Sequence, residues 1–170
     1  MAVSKGKDAI ALLKEDHQAL KELFKEFHDA KGAGRKEKLA HEICLDFTVH
    51  AELEETIFYP ACEGTVDESD LKEGYVEHDA AKLLVAEIEA NDGAGDEYFD
   101  TKVHVLQEEI EHHIKEEEEP GGIFAQARKG DLDLDLIGER LARMKTELTD
   151  RYKAEGLPRP RLKTMDEVSV

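Results

Sequence analysis

His50-Ala51-Glu52-Leu53-Glu54 and, further along, His113-Ile114-Lys115-Glu116-Glu117 each set a histidine and a glutamate four residues apart. On an α-helix that spacing is roughly 6 Å along the axis and nearly on one face. An imidazole and a carboxylate so placed can address one ion. Apolar residues lead into both pairs at steps of three and four. They are Leu39, Ile43 and Phe47 before the first pair, and Phe99, Val103, Leu106 and Ile110 before the second. That period predicts amphipathic helices with both pairs on the inward stripe.

The same period recurs elsewhere. Ile10, Leu13, His17, Leu20, Phe24 and Phe27 mark a helix over 8–30, with Asp8 as its cap and Lys31-Gly32-Ala33-Gly34-Arg35 as its end. The first pair belongs to a helix over 36–58 that Tyr59-Pro60 closes. Leu71, Gly74, His78, Ala81, Val85 and Ile88 mark a third helix over 70–90. Gly74 within it costs about 1 kcal/mol relative to alanine, and such a residue can mark close packing. The turn-rich stretch 91–96 leads into the fourth helix, 96–119, which stops at Pro120-Gly121-Gly122. A further helix follows over 134–154, with Ile137, Leu141, Met144 and Leu148 on one face. No segment alternates with period two for long. The expected fold is therefore all-α, an up-down-up-down four-helix bundle with an additional C-terminal helix. The expected division is a bundle over 8–124, a helical extension over 125–155 and a flexible tail over 156–170.

Composition narrows the function. The chain has 170 residues and a net charge of -18, with 41 acidic against 23 basic residues. Nucleic acid and anionic membranes both call for a basic patch, so neither is an expected partner. No stretch reaches the ~20 apolar residues of a membrane span. Charged sequence follows Met1-Ala2-Val3-Ser4-Lys5 with no apolar leader. Cys44 and Cys62 have no metal-type spacing. A cytoplasmic location is expected.

The inward stripes carry His17, His50, Glu54, His78, His113 and Glu117. A lone histidine there can be an ordinary hydrogen-bonded core residue. Two buried carboxylates with no lysine or arginine on their stripes need compensation, and a pair of divalent metals supplies it. When antiparallel helices are stacked, all four histidines come within a turn or two of one level. His112 is a step of about 100° off the line of His113. His28, His41 and His104 have no carboxylate partner at this layer and read as surface or structural. Tyr75, three residues before His78, reads as core packing, with a hydrogen bond to a metal-bound ligand as the alternative. Glu118 would replace Glu117 if the helix widened locally.

Four imidazoles and two carboxylates suit iron, manganese or zinc better than the oxygen-seeking calcium or magnesium. With both glutamates bridging, two metals would still have open positions. Dioxygen, peroxide or nitric oxide could fill them.

The chain resembles the hemerythrin-like proteins, the HHE cation-binding domains. The likeness covers about 8–124 and rests on four stretches. These are Asp16-His17-Gln18, His50-Ala51-Glu52-Leu53-Glu54-Glu55 with Ile57-Phe58-Tyr59-Pro60, Glu77-His78-Asp79, and His112-His113-Ile114-Lys115-Glu116-Glu117. The resemblance implies two iron ions in an oxo- or hydroxo-bridged centre. His17, His50, His78 and His113 would be terminal ligands, and Glu54 and Glu117 bridges. Oxygen carriers of the family have another histidine one turn before the third-helix ligand, where this chain has Gly74. That turns the expectation from oxygen carriage toward peroxide chemistry, sensing, stress response or iron handling. A di-iron enzyme with catalase, peroxidase or oxidase activity is the alternative. Relatives follow the last glutamates with an apolar-Phe-Pro turn. Here Pro120-Gly121-Gly122-Ile123-Phe124 stands instead, and the choice between Glu117 and Glu118 stays open.

Overall fold

The computed structural model describes residues 6–91, 93 and 95–166. Asp92 and Ala94 of the expected turn, Met1–Lys5 and the last four residues lie outside the described residues. Among the described residues there are seven α-helices: α1 (Ala9–Asp29), α2 (Ala33–Leu53), α3 (Tyr59–Cys62), α4 (Glu68–Ala90), α5 (Phe99–Glu118), α6 (Ile123–Lys129) and α7 (Leu134–Glu155). A π-helical turn, Glu54–Phe58, joins α2 to α3 without a break. No named strand occurs among the described residues.

α1, α2, α4 and α5 pack in a closed ring of neighbours in chain order, the expected up-down-up-down bundle. α7 lies in the groove between α1 and α2. Asp8 caps α1 by accepting from the Ala11 amide at 2.8 Å, a contact worth about 1 kcal/mol. The reversal after α1 is tighter than its glycines imply. Gly32 takes the whole turn at φ 95°, and Ala33-Gly34-Arg35 already form the first turn of α2.

Three boundaries differ from expectation. The second helix runs through Tyr59-Pro60 to Cys62: the chain widens into the π-turn Glu54–Phe58 just before the proline, and Pro60 follows in the turn of α3 that continues it. The fourth bundle helix starts at Phe99, after turns over 96–98. Past the stop at Pro120-Gly121-Gly122, a separate short helix, α6, folds back over the bundle end.

Two apolar clusters fill the interior. One gathers Leu20, Phe24, Ile43, Phe47 and Leu106 along the bundle. The other gathers Ile10, Leu53, Phe58, Phe124 and Leu141 beneath α6 and α7. A layer of buried polar side chains coming from all four bundle helices accompanies them. Residues 156–166, expected as tail, lie beside α4. The amides of Lys163, Thr164 and Met165 donate to buried Asp79 at 2.7–3.2 Å. Lys82 Nζ donates to the Arg161 carbonyl at 2.8 Å.

Candidate metal centre

The structure brings all six stripe residues together. His17 comes from α1, His50 from α2, Glu54 from the π-turn, His78 from α4, and His113 and Glu117 from α5. None is more than 4% exposed. They form two groups of four, His17–His50–Glu54–Glu117 and Glu54–His78–His113–Glu117. Within each group one donor atom per residue lies within 4.8 Å of all the others. Both glutamates belong to both groups.

The donor atoms converge without satisfying one another. His50 Nε2 is 2.7 Å and His78 Nε2 3.4 Å from Glu54 Oε1. Glu117 Oε1 is 2.9 Å from His113 Nε2, and Oε2 is 3.3 Å from His17 Nε2. Yet His17 Nε2, His50 Nε2, both Glu54 oxygens and Glu117 Oε2 are buried with no aligned hydrogen-bond partner. Buried polar atoms left so are costly. Atoms aimed at a shared point rather than at each other fit a cation between them, and imidazole with carboxylate is a donor set for a transition metal.

Charge follows the same geometry. Burial alone would depress the His50 imidazolium, but Glu54 and Asp16 outweigh it and push it up to about 10. His113 is likewise raised well above the usual range, where Glu117, Glu54 and Glu77 overcome burial. Burial works against an ionised Glu54, but His50 and the other imidazoles hold its carboxyl well below its usual value. A metal entering here must displace these protons.

Behind the inner six runs a second ring of carboxylates. Asp16 Oδ2 is 3.0 Å from His50 Nδ1, Glu55 Oε1 3.1 Å from His78 Nδ1, and Glu77 Oε1 2.9 Å from His113 Nδ1. Glu118 Oε2 lies 3.8 Å from His17 Nδ1. Each acid flanks an inner residue on one helix and faces the histidine of the next helix round. Such a carboxylate fixes the ring so that Nε2 points inward and is the more basic donor. Glu118 therefore stands in the outer ring, and Glu117 in the inner cluster. Two of the acids are themselves anchored: Lys145 Nζ reaches Asp16 at 2.5 Å, and Lys82 Nζ reaches Glu55 at 2.8 Å.

The tyrosine at the site is Tyr59, not Tyr75. Its hydroxyl donates to Glu117 Oε1 at 2.5 Å, lies 3.3 Å from His113 Nε2, and its ring stacks on His78 at 5.5 Å. Burial, with Glu117 and Glu54 nearby, keeps the phenol protonated. Tyr75 packs edge-on against the Tyr59 ring at 5.2 Å. The π-turn explains the exchange. Five residues beyond Glu54, an α-helix would carry Tyr59 about 140° away. The Tyr59 amide instead bonds to the Glu54 carbonyl, closing a five-residue turn that brings the ring back over the site. Gly74 makes room for it, since a Cβ there would lie 2.7 Å from the Tyr59 hydroxyl. Phe124 of α6 stacks on His17 at 5.6 Å and covers that side. His28, His41, His104 and His112 are exposed.

Comparison with known proteins shows the family and the fold. Residues 8–120 match the family described as Hemerythrin HHE cation binding domain. The chain is similar in fold to the crystal structure of a hemerythrin HHE cation binding domain-containing protein from Mycobacterium kansasii. The TM-score is 0.73 at 18% identity, covering 89% of this chain and 95% of that one. It is also 29% identical over 132 residues to a curated protein of Nostoc sp. described as a DNA nickase. That match takes in 75% of this chain but 37% of the nickase.

Proposed function

This chain belongs to the family of hemerythrin HHE cation-binding domains, and from that premise we propose that it is a non-heme di-iron protein binding dioxygen, peroxide or nitric oxide. The observation that carries the reading is the sharing of Glu54 and Glu117 between two histidine-pair clusters. His17 and His50 would hold one iron, His78 and His113 the other, and the glutamates would bridge them with an oxo or hydroxo group. Iron so held supplies redox chemistry toward small oxidants and diatomic ligands. The chain's own residues orient and insulate that chemistry. Asp16, Glu55 and Glu77 hold the Nδ1 atoms, Phe124 and the apolar clusters exclude water, and Tyr59 keeps a proton at Glu117. The net charge of -18 favours small ligands over nucleic acid or anionic membrane as partners. No helix among the described residues is long and apolar enough to cross a membrane. We take residues 8–124 as the domain and 125–155 as its extension, with sensing, stress response or iron handling in the cytoplasm as its role.

Anaerobic loading with ferrous iron, then exposure to air, tests the centre. We expect about two irons per chain with near-ultraviolet and visible charge-transfer bands, and in His50→Ala a fall to about one iron with loss of those bands. A wild-type chain that retains no iron refutes the proposal.

The Tyr59–Glu117 contact favours a second reading, a catalase-like or peroxidase activity at the same centre. A buried phenol 2.5 Å from the Glu117 carboxylate is a dedicated proton donor on the site. Tyr59→Phe should lower oxygen release from hydrogen peroxide about 100-fold while leaving iron content unchanged. Equal rates in the two proteins remove this reading.

A further inference from the structure

The four outer acids are not alike in their surroundings. Asp16 and Glu55 are each neutralised by a lysine, and Phe124 and α6 cover the His17 side. Glu77, behind His113, has the imidazoles of His113 and His112 as its ion-pair partners. Beside it, where the chain turns out of α5 through Pro120–Gly122, a pocket of about 200 Å³ opens between α4 and α5. Asp70, Glu73, Glu77, Glu116 and Glu119 line it, and no lysine or arginine is among its described lining residues. Its walls include His113 and Glu117, two members of the inner cluster. Glu117 is fully buried and its Oε2 has no hydrogen-bond partner. The pocket thus joins surface carboxylates to the buried donor set.

Its electrostatics suit one class of visitor. The α5 C-terminus adds the negative end of a helix dipole. Gly122 lies so close on that terminus that a Cβ would sit 2.3 Å from the Glu116 carbonyl. The loop is thereby pressed against the helix end and forms the pocket's floor. At the rim, Glu77, His112 and Glu116 bring donor atoms within 4.8 Å of one another.

We propose that this acidic pocket is the route by which a divalent cation, Fe(II), reaches the buried centre, with Glu77, His112 and Glu116 as a stopping place at its mouth. The proposal rests on the di-iron reading above. It explains why the acid behind His113 has imidazoles and no lysine as partners while lysines close off His50 and His78. The route attracts a cation and repels anions, a focusing effect able to change association rates by about 10- to 1,000-fold at low salt.

Rates of uptake separate the route from the centre. Metal-free full-length chain would be mixed anaerobically with ferrous iron, and the iron still free followed over time with a ferrous chelator. Glu73→Gln/Glu116→Gln/Glu119→Gln should slow uptake about tenfold or more at low salt. Loading carried to completion should reach the wild-type iron content. Added salt should slow the wild type toward the variant. A control, Glu22→Gln/Glu139→Gln/Glu147→Gln, removes the same charge at exposed positions elsewhere and should load at nearly the wild-type rate. Unchanged uptake in the pocket variant, or equal slowing in the control, overturns the route while leaving the centre intact. A wild type that retains no iron overturns the centre and the route with it.

Discussion

Glu54→Ala should empty both iron positions, whereas His17→Ala should empty one. Glu54 approaches His50, His78 and His113 at 2.7, 3.4 and 3.8 Å and belongs to both donor groups. Alanine there removes an oxygen from each ion at once. Losing a residue that merely orients a ligand typically costs 10–100-fold in metal affinity, so losing a bridge should cost more than about 100-fold at both ions. His17 belongs to the first group only. Its loss leaves His78, His113 and both carboxylates in place. Iron per chain after anaerobic loading and desalting should fall from about two to near zero for Glu54→Ala, and to about one for His17→Ala. Equal iron contents in the two variants would show that Glu54 does not bridge. The metal-free proteins should differ as well. Glu54→Ala leaves the raised His50 imidazolium with Asp16 as its remaining anion, and a buried charge short of a partner costs a few kcal/mol. His17→Ala removes a ring whose nitrogens make no hydrogen bond.

The inner six were legible because helical period and antiparallel stacking are properties of sequence. An i, i+4 pair inside an apolar stripe has only one way to face the core, and four stripes with a histidine at one level converge. The outer ring obeys a rule that is also written in the sequence but points across helices. Asp16 beside His17 serves His50, Glu55 beside Glu54 serves His78, and Glu77 beside His78 serves His113. A residue one step along a helix turns about 100°, which carries it from the centre toward the next helix. An acid beside His17, Glu54, His78 and Glu117 was the available signal. Tyr59 was hidden for a different reason. Its place depends on a π-turn, and no α-helical count from Glu54 brings it inward. The short helix α6, lying just after a glycine pair, is too brief to show a period, so the cover that Phe124 provides over His17 could not be read from spacing.

Gly74→His should destabilise the chain on its own, and Tyr59→Ala should relieve that cost when the two are combined. A Cβ at position 74 would stand 2.7 Å from the Tyr59 hydroxyl and 3.1 Å from two ring carbons. The ring is fully buried, stacked on His78 and boxed by Tyr75, so it has little freedom to move aside. Overpacking of this kind costs about 1–3 kcal/mol. Leaving glycine in a helix returns less than about 1 kcal/mol. At about 2–4 °C per kcal/mol for a chain of this size, the melting temperature should fall by several degrees. Tyr59→Ala opens a cavity and is also destabilising, by about 3–5 kcal/mol. In the double variant the imidazole occupies space vacated by the phenol, so the two costs should not add. A coupling of about 0.5–3 kcal/mol favouring the pair is expected from the double-mutant cycle. Zero coupling would mean that Gly74 is not there to admit Tyr59. Position 74 is one turn from His78 on the same face, so the new imidazole can reach the iron assigned to His78 and His113. The loaded double variant should then show shifted charge-transfer bands and slower reaction with peroxide, because a nitrogen fills a position that the wild type leaves to small ligands. The glycine and the tyrosine thus act as one device. The π-turn swings a phenol into the space that Gly74 leaves open beside the site.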